Sequence, residues 1–142
     1  MKRSLISKFA LLLLSSLLIC SYLQGQKADT LKFISLTPQQ FQQTYQRQPS
    51  AMLADVREFF EYKKSRIPGA INIPSSGDLK KSSSVMDKNC ALFLYCTTGF
   101  RSKRVARFFH DEGFLKIYSL DGGITAWKKA GMAVEKKHVK RR

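Results

Sequence analysis

The chain has 142 residues, 44% of them hydrophobic and 25% charged, which is enough for one domain with little left over. That balance excludes disorder over most of the length, as well as a collagen or coiled-coil architecture. Lys+Arg outnumber Asp+Glu by 25 to 10, and the formal net charge of +15 points to anionic partners.

Residues 1–25 read as an export signal. Lys2, Arg3 and Lys8 form a positive head, and residues 9–20 form the chain's one long apolar run. A spanning helix needs about 20 apolar residues, so the run fits a signal better than a membrane anchor. A polytopic membrane protein is excluded. The expected cut falls after Gly25, with Leu23 and Gly25 at the recognition positions. The alternative is an uncleaved N-terminal anchor. Lipidation at Cys20 is disfavoured because Ile19, just before it, is large and branched. The expected location is therefore periplasmic or otherwise exported, with membrane contact only through an uncleaved signal. Export also exposes Cys90 and Cys96 to an oxidising compartment. Three cysteines are too few for a disulfide scaffold. Cys90 and Cys96 flank what reads as one strand, about 20 Å end to end. A disulfide needs Cα atoms within about 7 Å, so both thiols should be free.

Residues 26–30 read as a short linker, 31–135 as the domain and 136–142 as a solvated basic tail. No internal repeat is visible. Residues 31–36 suggest a short strand. Thr37, Pro38 and Gln40 then spell a helix start, with Thr37 as N-cap, and the helix should reach about Gln46. Residues 51–56 are short and apolar, a buried strand. Residues 58–63 suggest a helical turn or two, ended by Pro68-Gly69. Another short strand is expected over 70–73, and residues 75–89 read as a loose helix or loop. Residues 91–95, Ala-Leu-Phe-Leu-Tyr, are continuously apolar, as in a central parallel strand. A helix is expected over 102–111, burying Val105, Ala106, Phe108 and Phe109, with Gly113 as a left-handed cap. A strand over 117–120 and a helix over 124–129, closed by Gly131, complete the series. Strands alternating with helices indicate an α/β domain with a parallel sheet.

The chemistry concentrates in Cys96-Thr97-Thr98-Gly99-Phe100-Arg101-Ser102, between the end of a buried strand and the start of a helix. Parallel α/β sheets build their sites at this end of their strands. A helix N-terminus there offers unpaired N–H groups and a partial positive charge. Gly99 lets the backbone curl into an anion cradle, and Arg101 adds charge, with Lys103 and Arg104 nearby. These features favour a thiolate, and so a nucleophilic Cys96. The plainer alternative is a buried structural cysteine.

Four segments in order resemble the single-domain rhodanese sulfurtransferases over nearly all of residues 31–135. They are Leu53-Ala54-Asp55-Val56-Arg57, Ile67-Pro68-Gly69-Ala70-Ile71-Asn72-Ile73-Pro74, the Cys96–Ser102 loop, and Leu120-Asp121-Gly122-Gly123-Ile124-Thr125-Ala126-Trp127. The resemblance implies a rhodanese-like α/β fold, a five-stranded parallel sheet flanked by helices. It implies that Cys96 carries a sulfane sulfur as a persulfide, held by the backbone of residues 97 to 102. The donor would be a small anion such as thiosulfate. The acceptor would be cyanide or a thiol, including a protein thiol. No metal or organic cofactor is required. Asp55 and Arg57 either orient the loop or form a buried structural pair. Two positions depart from the family's habit: Arg66 stands where a His is common, and Met132-Ala133 where a Pro is common.

Trp127 reads as core, Cys90 as inert, and His110 and His138 as remote from the chemistry. The basic tail lacks the interleaved aromatics of a single-strand nucleic-acid binder, so no nucleic-acid partner is expected. Two other functions fit a cysteine cradle. One is a binding module that carries a persulfide without turnover. The other is a phosphatase or arsenate reductase on the same fold, whose loop carries one residue more than the six from Cys96 to Arg101.

Overall fold

A computed structural model describes residues 32–74 and 76–136. The signal segment, the linker, His138 and tail residues 137–142 lie outside the described residues. The described chain runs β1 (Ile34–Leu36), α1 (Pro38–Gln46), β2 (Met52–Asp55), α2 (Phe59–Lys64), β3 (Ser65–Arg66), β4 (Ile71–Asn72) and α3 (Ser76–Val85). It continues through β5 (Leu92–Tyr95), α4 (Phe100–Asp111), β6 (Ile117–Leu120), α5 (Gly123–Lys129) and β7 (Glu135–Lys136). Among these residues, no helix is long and apolar enough to cross a membrane.

Five strands form one sheet in the order β1-β6-β5-β2-β4. Every pairing in it is parallel, as expected. β5 is interior and wholly buried. Its side chains alternate between two cores, which is why it is apolar at every position. Leu92 and Leu94 pack with Val105, Phe109 and Phe114 on one face. Phe93 and Tyr95 pack with Phe41, Leu53 and Trp127 on the other. Phe41 meets Phe93 edge to face at 5.2 Å, so α1 is docked directly on the central strand. The capping box that starts α1 forms as expected: Gln40 N–H donates to Thr37 Oγ1, and Thr37 N–H to Gln40 Oε1.

The structure departs from expectation in three places. First, residues 76–85 form a regular helix. Its serines disguise it, because serine competes for backbone hydrogen bonds and lowers helix propensity. Here Ser83 and Ser84 bond back to the carbonyls of Lys80 and Lys81 within the helix. Second, Lys136, expected to open a solvated tail, pairs through β7 antiparallel with β3. An Arg66–Glu135 ion pair of 2.6 Å secures this two-stranded sheet. Third, α4 begins at Phe100 rather than Ser102, and Phe108 is only half-buried.

Candidate active site

β5 delivers Cys96 to the carboxyl end of the sheet, where Val56 N–H donates to the preceding carbonyl, Tyr95 O, at 3.0 Å. Cys96 is buried, with 3% of its surface exposed. The chain then turns through Gly99, whose φ of +91° is left-handed, into α4. This turn aims the Gly99 N–H at the Cys96 sulfur, 3.1 Å away. Gly99 is the N-cap of α4 and supplies no side-chain cap, so the first-turn N–H groups and their partial positive charge face the thiol end of the loop.

The closing motif holds this loop from behind. Ile124 N–H donates to Cys96 O at 2.9 Å, and Thr125 N–H to Thr97 O at 3.2 Å. The described peptides are trans, so each carbonyl drawn toward α5 turns the next residue's N–H the opposite way. The N–H groups of Thr97 and Thr98 are thereby directed away from α5. Such an approach requires glycine at 123. A Cβ there would sit 2.4 Å from Cys96 O and 2.6 Å from Thr97 O.

The structure brings Cys96, Thr97, Thr98, Phe100 and Arg101 around one cradle of about 160 Å³. Thr98 is exposed, and Phe100, at 72% exposure, stands as an aromatic rim. Thr97 donates through its hydroxyl to Glu61 Oε1 at 2.9 Å. Arg101 reaches across to Val56 O at 3.2 Å and lies 3.7 Å from Glu58. Ser102 does not join the cradle with its side chain. It is fully buried, its hydroxyl donating to Gly99 O at 3.1 Å and lying 3.0 Å from the Ser119 hydroxyl. Ser102 therefore braces the glycine turn from below.

Asp55 and Arg57 form a buried structural pair. The guanidinium donates from Nε to Asp55 Oδ1 at 2.9 Å and from Nη2 to Oδ2 at 2.5 Å. The same Nη2 reaches Ser65 O at 2.7 Å, tying the end of β2 to β3. Burial opposes the charge on Arg57, but the Asp55 carboxylate outweighs it and holds the guanidinium's pKa above its ordinary value. Burial, and then the Asp55 charge, also push the Tyr95 hydroxyl well up, so it stays neutral and accepts the Ile67 N–H at 3.1 Å. A buried, hydrogen-bonded framework of Asp55, Arg57 and Tyr95 thus surrounds the end of β5.

Glu58, Glu61 and Gly123 were not legible as site residues. The two glutamates act through side-chain contacts with the loop across 36 or more positions of sequence. Gly123 did carry a signal, a Gly-Gly pair directly after a strand. Cys90 lies at the opposite end of β5 with its thiol donating to Ser50 O at 2.9 Å, and among the described residues Cys90 and Cys96 are free thiols. A larger cavity of about 760 Å³ opens beside it, at the amino ends of β2, β5 and β6, away from the cradle. Among the described residues no cluster of three or more His, Cys, Asp or Glu could hold a metal ion.

A sequence model of the rhodanese-like domain matches residues 37–130, spanning four of the five sheet strands, the Cys96 loop and the closing motif. The chain belongs to the rhodanese-like family. It is 34% identical over 110 residues to the uncharacterized Bacillus subtilis protein YqhL, covering 78% of this chain and 81% of that one. It is 35% identical over 77 residues to a thiosulfate sulfurtransferase of Coxiella burnetii, covering 54% of this chain and 71% of that one. The Bacillus subtilis "Putative sulfur carrier protein YrkF" is 32% identical over 103 residues, covering 72% of this chain and 54%, about half, of that protein's length. Among solved structures, a rhodanese-related protein of Thermoplasma volcanium superposes with a TM-score of 0.64 at 26% identity, covering 74% of this chain and all of that one. The Alr3790 protein of Anabaena shares the fold with a TM-score of 0.64 at 23% identity, over 75% of this chain and 96% of that one.

Proposed function

We propose that this rhodanese-like protein is an exported sulfurtransferase that works through a Cys96 persulfide. The Gly99 N–H placed 3.1 Å from the Cys96 sulfur, at the start of α4, carries this reading. An N–H donor and a helix N-terminus both stabilise negative charge on sulfur. The Cys96 thiolate attacks the outer sulfur of thiosulfate. The S–S bond of the donor breaks, sulfite leaves with the electron pair, and Cys96 keeps the sulfane sulfur. Cyanide or a thiol then removes that sulfur, and the Cys96 thiolate returns. Each half reaction moves negative charge between sulfurs inside the cradle, where fixed donors disperse it without reorganisation.

The relative named as a thiosulfate sulfurtransferase supports this donor class. The cradle's size supports sulfur over phosphate chemistry. Only four residues separate Cys96 from Arg101, and a single sulfur atom needs a narrower ring of N–H donors than a tetrahedral oxyanion. The test is steady-state turnover of the mature protein with thiosulfate and cyanide, beside aryl phosphate and arsenate. Thiocyanate formation that survives Cys90→Ser and vanishes in Cys96→Ser is the expected result. Phosphate hydrolysis or arsenate reduction without thiocyanate would overturn the reading.

A further inference from the structure

We infer that the surface made by α2, the β3–β7 pair and the end of α5 docks on an anionic lipid bilayer. Phe59 and Phe60 enter the headgroup region, and Lys64, Lys128 and Lys136 face the lipid phosphates. This is a membrane contact separate from the signal segment, and it does not depend on the sulfurtransferase reading. Phe59 and Phe60 are neighbours on α2 and are 55% and 72% exposed. A single exposed ring needs no explanation, but an adjacent pair flanked by lysines has the character of an interfacial anchor. Lys63 Nζ lies 4.7 Å from the centre of the Phe59 ring, so cation and ring travel together.

The charge on this face is gathered by the fold. Lys64 ends α2, Lys128 lies near the end of α5 and Lys136 ends β7, and all three are exposed. Lys128 Nζ donates to Ser65 Oγ at 2.8 Å, which ties α5 to β3. Partial burial, and then the charges of Arg57, Lys136 and Lys64, hold the Lys128 pKa below its ordinary value. Like charges are therefore close enough to repel one another. The carboxylates of the same elements are engaged elsewhere. Glu61 accepts the Thr97 hydroxyl, Glu58 lies 3.7 Å from Arg101, and Glu135 pairs with Arg66. Beyond Lys136 the sequence adds Lys137, Lys140, Arg141 and Arg142. An acidic protein would answer the lysines, but the exposed rings would still need an apolar pocket of matching shape. A bilayer answers both with one layered surface, phosphates outside and acyl chains beneath. Because α2 also touches the cradle through Glu61 and Thr97, docking there brings the Cys96 loop near the membrane.

Vesicle co-sedimentation of the mature protein tests this. One set of vesicles is phosphatidylcholine alone, and the other is equal parts phosphatidylcholine and phosphatidylglycerol. The protein should sediment with the anionic vesicles, stay in solution with the neutral ones, and be released from the anionic ones by high salt. Lys64→Gln, Lys128→Gln and Lys136→Gln together should weaken binding by about fivefold for each lysine removed. Phe59→Ser with Phe60→Ser should weaken it by roughly tenfold and leave a residue of binding that salt abolishes. The charge-matched control is Arg47→Gln, Lys81→Gln and Lys116→Gln, placed after α1, on α3 and before β6, which should bind like the parent. Thermal melts confirm that each variant is folded. Equal weakening by the two triple variants would mean that net charge alone attracts the vesicles, and would overturn the docking face. So would binding unchanged by the Phe substitutions, absence of binding to anionic vesicles, or binding to a soluble polyanion such as heparin but not to vesicles.

Discussion

Gly123 shows how a single missing side chain shapes the site. Its φ of +57° disfavours any L side chain, and a Cβ would meet the Cys96 and Thr97 carbonyls that α5 must hold. Gly123→Ala is therefore expected to cost at least about 1–3 kcal/mol of stability and to slow sulfur loading at Cys96. Gly113→Ala is the control, since φ there is also positive but nothing lies within 4 Å. It should cost backbone strain alone and leave loading intact. Chemical denaturation and loading rates on both variants check this, and equal effects of the two on loading would refute it. Asp121, one position before the glycine pair, is paired with Lys103 at 2.8 Å. The Lys103 hydrogen bond and charge hold its carboxyl below the ordinary carboxylate range. The folded pKa is depressed, so the pair's stabilisation is present above the unfolded value of about 4 and is lost as pH falls through the folded value. Asp121→Asn should lower stability slightly near neutrality, where the pair is present, and remove its loss on the acid side, so the two curves converge at low pH. The pair is exposed, so the effect should also shrink in high salt.

The loop and the helix it starts act as one unit at the scale of elements. Six residues run from Cys96 to Arg101; α5 holds the Cys96 and Thr97 carbonyls from behind, and the Gly99 N–H is aimed at the Cys96 sulfur. Inserting one Gly after Gly99 should widen the cradle, weaken thiosulfate turnover, and strengthen phosphate or arsenate binding. Parallel kinetics and anion titrations of the two proteins check this, and unchanged thiosulfate turnover would contradict it. Elements with strong local signals were legible in the sequence. The Thr37–Gln40 box places α1, and the unbroken apolar run places β5 inside the sheet. α3 was obscured because its signal is local and weak: serines that bond back within the helix look the same in sequence as serines in a loop. The β3–β7 pairing was invisible for a different reason. Arg66 and Glu135 are far apart in sequence and meet only through the tertiary fold. Of the site, the reacting loop could be read from its residue types, whereas Glu58 and Glu61 entered through contacts that only tertiary structure creates. Ser102 was named with the loop for its backbone, and its side chain turns inward because it is the third residue of a helix that starts at Phe100.

Charge and compartment belong to the whole molecule. A net charge of +15 draws anions toward the surface, and the cradle offers them a cationic wall. The export proposal rests on residues 1–25, and the mature chain is expected to begin at Gln26. N-terminal analysis of protein recovered from the native cell envelope checks it, and an intact Met1 terminus in the cytoplasm would refute it. The measurement closest to the central claim is peptide-resolved mass spectrometry of the mature protein after brief exposure to thiosulfate. The account predicts one added sulfur on the peptide containing Cys96, released by cyanide, and none on the peptide containing Cys90. Added sulfur on Cys90, or none on either cysteine, would contradict it.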